Sequence, residues 1–276
     1  MKVPFQVDLS GKTAVITGAG GVLCGAFARA LWECGASVAL LDINAAAVKK
    51  LAEELGERAL AIECNCLDKA SLERAKAEVN ARFSKVDILI NGAGGNHPSA
   101  TADNEYAFPD SQETKDFFAL DEKGLRFVFD LNITSAFLTS QVFVKDMVSS
   151  GGNIINISSM NAYRPLTKIP AYSAAKAGVS NFTQWLAVHF APCHIRCNAI
   201  APGFFVTNQN RALLFDKEGN PTARTKKILS ATPMKRFGEA EELLGALLFL
   251  VDDRASGFMT GTVLPVDGGF SAYSGV

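Results

Sequence analysis

Residues 13–25 read TAVITGAGGVLCG, an apolar run that passes directly into a glycine-rich turn. The run Thr13–Thr17 has the uninterrupted apolar character of a strand that is buried on both faces, and helical periodicity follows the turn. Glycines let such a turn bring its backbone close to a pyrophosphate, which rests at the positive N-terminus of the helix. The stretch therefore predicts the first strand, turn and helix of a dinucleotide-binding fold.

The rest of the chain repeats this alternation of short apolar runs and longer helical stretches. Further strands are predicted at Ser37–Leu41, Leu60–Cys64, Asp87–Ile90, Asn153–Ile157, Ile195–Ile200 and Thr262–Val266. Helices are predicted at Ala26–Cys34, Ala45–Leu55 and Ser71–Phe83. A β-α-β alternation at this spacing builds a parallel sheet with helices on both faces. We expect an α/β protein with a single Rossmann domain over residues 1–276 and a doubly wound, mostly parallel sheet of about seven strands.

The composition is typical of a globular protein, since 48% of the 276 residues are apolar and the formal net charge is −1. A nucleic-acid or membrane-surface partner would need a clustered basic patch, so we expect neither. The longest apolar stretches, such as Leu243–Val251, fall short of the roughly 20 residues that span a bilayer. The N-terminus also lacks the apolar core of a signal peptide, and we expect a cytoplasmic protein.

Soft-metal ligand types lie close together in the sequence at His189, Cys193, His194 and Cys197. Zinc sites usually pair two such clusters at regular spacing, and this sequence has no second pair. His189 falls in an apolar helical stretch and Cys197 in an apolar run, so we expect core packing and no bound metal. The six cysteines are expected to be reduced thiols, as is usual in the cytoplasm.

Asp42 closes the second predicted strand, in the sequence VALLD at residues 38–42. An acidic residue about twenty positions beyond the glycine turn accepts hydrogen bonds from the adenosine ribose hydroxyls. Its charge also repels the additional phosphate of NADP, so Asp42 favours NAD as the cofactor. The alternative is that Asp42 is an ordinary N-cap of the helix that opens after Asn44.

Tyr172 and Lys176 are four residues apart at the start of a helical stretch, which puts both side chains on one face of the helix. A phenol titrates near ~10, and a neighbouring ammonium lowers that pKa by stabilising the phenolate. Ser159 follows the strand Asn153–Ile157, where its hydroxyl can hydrogen-bond a substrate oxygen as charge develops. Together the three residues predict proton transfer at a carbonyl.

Several motifs occur in the order of one known family: Thr17-Gly18 with its turn, Asn91-Gly92-Ala93-Gly94, Asn132, Ser159, Tyr172 with Lys176, and Pro202-Gly203. From Leu9 to the C-terminus the chain thus resembles the short-chain dehydrogenase/reductase family. The resemblance implies a NAD(H)-dependent oxidoreductase that acts on CH–OH groups of a small molecule, and a homotetramer. It also implies a catalytic tetrad of Asn132, Ser159, Tyr172 and Lys176.

The family pattern implies a role for each of these residues. Tyr172 is the general acid/base, Ser159 positions the carbonyl, and Asn132 holds a water in the proton relay. Lys176 lowers the pKa of Tyr172 and binds the nicotinamide ribose, while Pro202–Thr207 flanks the nicotinamide carboxamide. The implied cofactor-binding residues are Gly18, Gly20, Gly21, Val22, Leu23, Asp42, Asn65, Cys66, Asn91, Ala93, Gly94, Tyr172, Lys176, Pro202, Gly203, Phe205 and Thr207.

The sequence departs from the family pattern in three places around the cofactor. Val22 and Cys24 stand where the family has glycines, and Gly92 replaces the second Asn of the usual Asn-Asn-Ala-Gly. Asn65 stands where the family commonly has an aspartate near adenine. A shifted turn is expected to use other glycines in part, namely Gly20, Gly21 and Gly25.

Two long excursions beyond strand ends, Gly95–Lys123 and Phe204–Phe237, are expected to shape the ligand site. Arg164 lies between Ser159 and Tyr172, and a guanidinium can hold a carboxylate with two parallel hydrogen bonds. Alternatively, Arg164 is a solvated loop charge, and so is Lys168. The substrate-binding candidates on this rim are Asn96, His97, Asn161, Arg164 and Arg211, with Lys168 and Asn208 beside them.

A second resemblance is to a sugar-acid branch of the family, the D-mannonate oxidoreductases (fructuronate reductases). It rests on GGVLCG at 20–25, GGNHP at 94–98, SSMNAYRP at 158–165 and GFF at 203–205. It implies a sugar-acid substrate and the reduction of D-fructuronate to D-mannonate. Two alternatives stay open: another sugar or polyol dehydrogenase, such as a gluconate-type enzyme, and a non-catalytic NAD(H)-sensing protein. Sensing proteins typically lose the Tyr or the Lys, and both are present here.

Overall fold

Seven parallel strands form one sheet in this computed structural model, which describes residues 6–109, 115–207 and 210–275. The strands are β1 Thr13–Thr17, β2 Ser37–Asp42, β3 Ala59–Glu63, β4 Ile88–Asn91, β5 Gly152–Ile157, β6 Ile195–Pro202 and β7 Val263–Val266. Their spatial order is β3-β2-β1-β4-β5-β6-β7, and every neighbouring pair is parallel. The predicted single-domain Rossmann architecture is confirmed, and each predicted strand is present.

Helices cover both faces of the sheet. They are α1 Val22–Glu33, α2 Ala45–Leu55, α3 Lys69–Phe83, α4 Glu122–Phe129, α5 Ser135–Phe143, α6 Pro170–Phe190, α7 Arg211–Leu214, α8 Ala223–Ala231, α9 Leu244–Val251 and α10 Asp253–Ser256. Ile16 of β1 packs in one apolar layer with Phe27 of α1 and Leu247 of α9. Its neighbour Val15 packs in a second layer with Leu72 of α3. Adjacent residues of one strand thus enter separate layers, so the strands read as continuous apolar runs.

The predicted bounds of α2 are confirmed, whereas the predicted starts of α1 and α3 are late by a few residues. Helix α1 begins at Val22, directly after the glycine turn, whereas the prediction placed its start at Ala26. Glycine has a low helix propensity, so Gly25 interrupts the helical pattern of the sequence. The first turn of α1 was therefore not predicted. Helix α3 begins at Lys69 because the Asp68 carboxylate accepts a hydrogen bond from the Ala70 amide at 2.9 Å and caps it.

The strand order reverses between β1 and β4, and this reversal positions the site. Loops that leave neighbouring strands in opposite directions open a crevice at the carboxyl ends of those strands. Here the two loops touch, since a Cβ on Gly18 would lie 3.0 Å from the Gly92 carbonyl oxygen. Thr17 joins them as well, because its Oγ1 accepts from the amides of Gly92 (3.0 Å) and Ala93 (3.2 Å).

One helical stretch in the described ranges, Glu122–Asp146, is long and apolar enough to cross a membrane by length and composition alone. This stretch does not stand out in the sequence as an uninterrupted apolar run, because it contains Arg126 and Asp130. Half of its most apolar window is buried inside the protein. Val128 and Phe143 are fully buried in it, which is the pattern of a helix that packs in the core of a domain.

The histidines and cysteines considered as metal ligands lie in different packing environments. His189 is exposed on α6, where its ring stacks on Trp185 with the ring centroids 4.5 Å apart, so the expected core packing is wrong for His189. Cys197 is buried in β6, as expected. Within the described ranges no group of three or more His, Cys, Asp or Glu side chains could hold a metal ion. The six cysteines are free thiols in this structure.

Candidate active site

The glycine-rich turn leads straight into the N-terminus of α1. Gly21 is the N-cap residue of α1, and it has no side chain that could accept a hydrogen bond from the first amides of the helix. The first amides of α1 therefore remain available to an anion, which the helix dipole also favours. Gly18 has a φ of +69°, a conformation that glycine adopts without strain. This cradle fits the pyrophosphate of a dinucleotide.

Asp42 lies against the same turn. Its Oδ2 accepts a hydrogen bond from the Gly20 amide at 3.0 Å, and its Oδ1 accepts from the Asn44 amide at 2.8 Å. Helix α2 is capped instead by Asn44, whose Oδ1 accepts from the Ala47 amide at 3.1 Å. The N-cap alternative for Asp42 is therefore wrong. Its carboxylate is held at the carboxyl end of β2, beside the turn, where it fits a ribose.

Two of the departures from the family pattern meet in space. A Cβ on Gly92 would lie 2.2 Å from Cys24 Sγ and 2.8 Å from the Thr17 carbonyl oxygen. Cys24 is buried, and that burial raises the pKa of its thiol to about 12. The side chain at position 24 thus occupies the space that a side chain at position 92 would need. The sequence showed the two exchanges separately, and only the structure shows that one compensates for the other.

At the edge of the sheet, Asn65 and Cys66 follow β3. The exposed Asn65 closes a tight turn, in which its Oδ1 accepts from the Leu67 amide at 3.0 Å. The Cys66 side chain is buried, and a cofactor contact at this position would therefore come from its backbone. Both residues stay predictions as adenine contacts.

Ser159, Tyr172 and Lys176 come together at the carboxyl end of β5. Burial raises the pKa of Tyr172, and a hydrogen bond with the Ser159 hydroxyl opposes this rise. Lys176 is buried in α6, and its Nζ donates to the Ile157 carbonyl oxygen at 2.7 Å. The same Nζ lies 5.6 Å from the centre of the Tyr172 ring. Burial also lowers the pKa of Lys176 to about 8, because the charged ammonium is desolvated.

The predicted effect of the Lys176 ammonium on the pKa of Tyr172 stays a prediction. Desolvation of the phenol is the largest cause acting on that pKa, and it acts in the opposite direction. Lys176 Nζ is directed to the end of β5 by its hydrogen bond with Ile157. The hydroxyl that opposes the desolvation is that of Ser159.

Asn132 lies in a π-helical turn, Asp130–Thr134, that joins α4 to α5. Its Nδ2 donates to the carbonyl oxygens of Val128 and Gly95, both at 2.7 Å, and its Oδ1 accepts from the Gly95 amide at 3.2 Å. A Cβ on Gly94 would be 2.8 Å from Asn132 Oδ1 and 3.1 Å from Lys176 Nζ. Asn132 therefore holds the loop after β4 beside Lys176, and its water-holding role stays a prediction.

The side chain of Asn91, predicted to contact the cofactor, points into the protein interior. Its Nδ2 donates to Asn156 Oδ1 at 2.8 Å and to Ser140 Oγ at 3.0 Å. This buried polar network ties β4 to β5 and α5. A cofactor contact at Asn91 would therefore come from its backbone, and it stays a prediction.

The loop after β6 carries the last predicted cofactor contacts. Gly203 pairs with β7, since its amide donates to the Val266 carbonyl oxygen at 2.9 Å, and a Cβ here would be 2.6 Å from the Asp267 Cα. The Phe205 side chain is buried against Gly238, so it packs in the core and offers only its backbone to a ligand. The Thr207 amide donates to Asn210 Oδ1 at 2.8 Å.

The predicted substrate residues differ in how firmly the protein holds them. His97 Nδ1 accepts from the Ser99 amide at 3.2 Å, and Asn96 Nδ2 donates to Thr101 Oγ1 at 2.8 Å. Asn161 is buried, and its Oδ1 has no hydrogen-bond partner among the described residues. Asn96, Arg164 and Arg211 are exposed, and Arg211 has its Cζ 5.8 Å from the Phe215 ring centre. Asn208 lies outside the described residues.

A sequence profile described as Enoyl-(Acyl carrier protein) reductase matches residues 21–271 of the chain. The chain belongs to the short-chain dehydrogenase/reductase family. It is 57% identical over 281 residues to an uncharacterised oxidoreductase of Haemophilus influenzae, covering 100% of this chain and 99% of that protein. A 2-dehydro-3-deoxy-D-gluconate 5-dehydrogenase of Dickeya dadantii is 32% identical, covering 96% of this chain and 97% of that protein.

A solved structure from Haemophilus influenzae resembles this chain over its whole length. That protein is described as a candidate D-mannonate oxidoreductase with bound NAD. It is 56% identical, with a TM-score of 0.93, and the match covers 100% of both chains. This short-chain dehydrogenase/reductase is thus a NAD-dependent oxidoreductase. When bound, the nicotinamide supplies or accepts the hydride.

Proposed function

We propose that the enzyme interconverts a ketone and a secondary alcohol on a sugar acid, namely D-fructuronate and D-mannonate. The observation that carries the proposal is the Ser159 hydroxyl beside the phenol of Tyr172, with Lys176 Nζ 5.6 Å from the centre of that ring, below a rim rich in polar and cationic side chains. The similarity to the Haemophilus influenzae protein described as a candidate D-mannonate oxidoreductase supports this substrate.

The proton-transfer step of the proposal follows from this geometry. The hydroxyls of Ser159 and Tyr172 are neighbours, so a carbonyl oxygen placed between them would accept a hydrogen bond from both. In the reduction, the hydride for the carbonyl carbon would come from bound NADH. Tyr172 gives its proton to the oxygen and recovers one from solvent, while Ser159 donates a hydrogen bond to the developing alkoxide. Lys176, with its lowered pKa, stands beside this path as a proton carrier.

The first prediction concerns the choice of cofactor. Because Asp42 is fixed beside the turn, it should repel a ribose phosphate, and we expect kcat/KM to be roughly ten- to a hundredfold higher with NADH than with NADPH. Asp42→Asn should narrow that ratio. The matched control is Glu63→Ala, since Glu63 is the register partner of Asp42 in β3. An equal shift in both variants would contradict a specific role for Asp42.

A second candidate function is a dehydrogenase of another sugar acid. The 32% identity to the 2-dehydro-3-deoxy-D-gluconate 5-dehydrogenase of Dickeya dadantii favours this alternative. This alternative needs the same fold, cofactor and catalytic residues as the proposal, and it differs only in the substrate-binding rim. A non-catalytic NAD(H)-sensing role is disfavoured, because such a protein has no use for Ser159 and Tyr172 placed together beside Lys176.

The proposal includes a homotetramer in the cytoplasm. Aromatic rings stack along the outer side of α5 and α6: Phe137 on Phe182 at 3.6 Å, and Trp185 on His189 at 4.5 Å. Phe137 remains 42% exposed and Trp185 54% exposed, so this surface is apolar and open. Contiguous exposed apolar surface of this kind marks an interaction site, and another copy of the chain would cover it.

The substrate is tested by assaying a panel of ketones with NADH. We expect D-fructuronate to be reduced with the highest kcat/KM, above 5-keto-gluconate and well above an uncharged ketose such as fructose. The physical reason is that the cationic rim favours a carboxylate. If a keto-gluconate were preferred, the second candidate would replace the first, and if no keto-uronate were reduced the substrate proposal would fail.

A further inference from the structure

Three cations converge on one carboxylate where the two excursions meet. Glu105, in the excursion after β4, forms an ion pair with Lys227 of α8. Lys168 and Arg224 act on the same carboxylate, and all three positive charges lower the pKa of Glu105. Glu105 forms its ion pair with Lys227, and neither Lys168 nor Arg224 forms an ion pair of its own among the described residues.

This group lies close to the catalytic helix. Lys168 precedes Tyr172 by four residues, and its Nζ donates to the Asp103 carbonyl oxygen at 2.5 Å. Its carbonyl oxygen also accepts from the Ala102 amide at 2.9 Å. Tyr172 itself packs in the apolar cluster that contains Ala100. The segment that carries Glu105 therefore runs alongside the start of α6, next to the residue that transfers the proton.

Arg224 has an unsatisfied donor. Its Nε is buried and has no hydrogen-bond partner among the described residues. A buried donor of a charged group costs free energy unless an acceptor meets it, and a substrate carboxylate would be such an acceptor. The exposed Arg164 has no such requirement, because water can satisfy its guanidinium.

We propose that Arg224, together with Lys168, binds the carboxylate of the sugar-acid substrate. The inference rests on the proposed function and names the residues that give it its substrate class. A guanidinium and an ammonium on two different segments hold the carboxylate from two sides, and the ketone then reaches toward Tyr172. Glu105 and Lys227 are positioning residues, because their ion pair joins the excursion after β4 to α8, the helix that carries Arg224. The same excursion holds Lys168 through the Asp103 carbonyl oxygen.

The test compares charge-removing variants on two substrates. Arg224→Gln and Lys168→Gln should each lower kcat/KM for D-fructuronate by about ten- to a hundredfold, mainly through KM, because a charged hydrogen bond is lost. Turnover of an uncharged ketose and the KM for NADH should change little. The matched control is Lys226→Gln, at an exposed lysine of the same helix α8, which should leave the preference for the uronate over the ketose unchanged. Arg164→Gln tests the rim arginine as the alternative carboxylate site. Lys168 is half-buried in a loop, so its variant serves even if Arg224→Gln folds poorly.

Any other outcome would contradict either the inference or the proposed function. If kcat/KM fell equally for the charged and the uncharged substrate, Arg224 and Lys168 would only stabilise the loops. That result would overturn the inference. A uronate-selective loss in Arg164→Gln alone would move the carboxylate site to that residue. If the wild-type enzyme reduces uncharged ketones but no keto-uronate, the proposed function fails first, and this is visible before any variant is measured.

Discussion

Replacing Tyr172 with phenylalanine is expected to lower kcat by about 10²- to 10⁴-fold, because the ring and its packing stay while the transferable proton is lost. The side chain packs against the cluster around Ala100, so the fold should be retained. NADH binding, followed by the fluorescence of the nicotinamide, should be unchanged. The pair of measurements separates loss of chemistry from loss of the cofactor site.

The chain offers a matched control in Tyr163. It lies between Ser159 and Tyr172, and its hydroxyl donates to the Val263 carbonyl oxygen at 2.7 Å. Tyr163→Phe removes one hydroxyl from the same neighbourhood and should keep most of the activity. If Tyr172→Phe retained more than a few per cent of turnover, or if both variants lost activity alike, Tyr172 would not be the proton donor.

Gly92→Ala is expected to destabilise the protein by about 1–3 kcal/mol, the usual cost of forcing an additional carbon into a packed interior. The new Cβ would lie 2.2 Å from Cys24 Sγ, and the backbone oxygen of Thr17 closes the other side at 2.8 Å. Denaturant unfolding measures the change in the free energy of unfolding. Because the loop also holds the turn of the cofactor site, the KM for NADH should rise as well.

A double-mutant cycle tests whether Cys24 is the cause. Cys24→Ala removes the sulfur, so Gly92→Ala should cost clearly less in that background than in the wild type. The control Gly245→Ala places a Cβ in helix α9 with no atom within 4 Å and should be neutral or slightly stabilising. Equal costs of Gly92→Ala in both backgrounds would mean that Thr17, and not Cys24, excludes the side chain.

The fold could be predicted from the sequence because its determinants are local. The run Thr13–Thr17 and the glycines after it lie within a few residues of one another, and the periodicity of each strand and helix is likewise contained in its own segment. The position of Asp42 at the end of a strand could also be predicted from its own segment. The observed sheet and the family membership confirm these predictions.

The boundaries of two helices and the orientation of several side chains could not be predicted from the sequence. The start of α1 was masked by Gly25, and the side chain of Asn91 turned out to bond Asn156, 65 residues away. The sequence also predicted that Lys176 would lower the pKa of Tyr172 from their spacing alone. That spacing does not state how deeply the phenol is buried or where the ammonium points.

By itself, then, the sequence determined the alternation of strands and helices, the order of the motifs and the cofactor class, since each depends on residue types at short separations. Only the tertiary structure decided that Cys24 fills the space left by Gly92, and that Glu105 meets Lys227 across 122 residues. Such contacts join segments that are far apart in the chain. The strand order and the packing of the loops bring them together, and no local pattern encodes which side chains then meet.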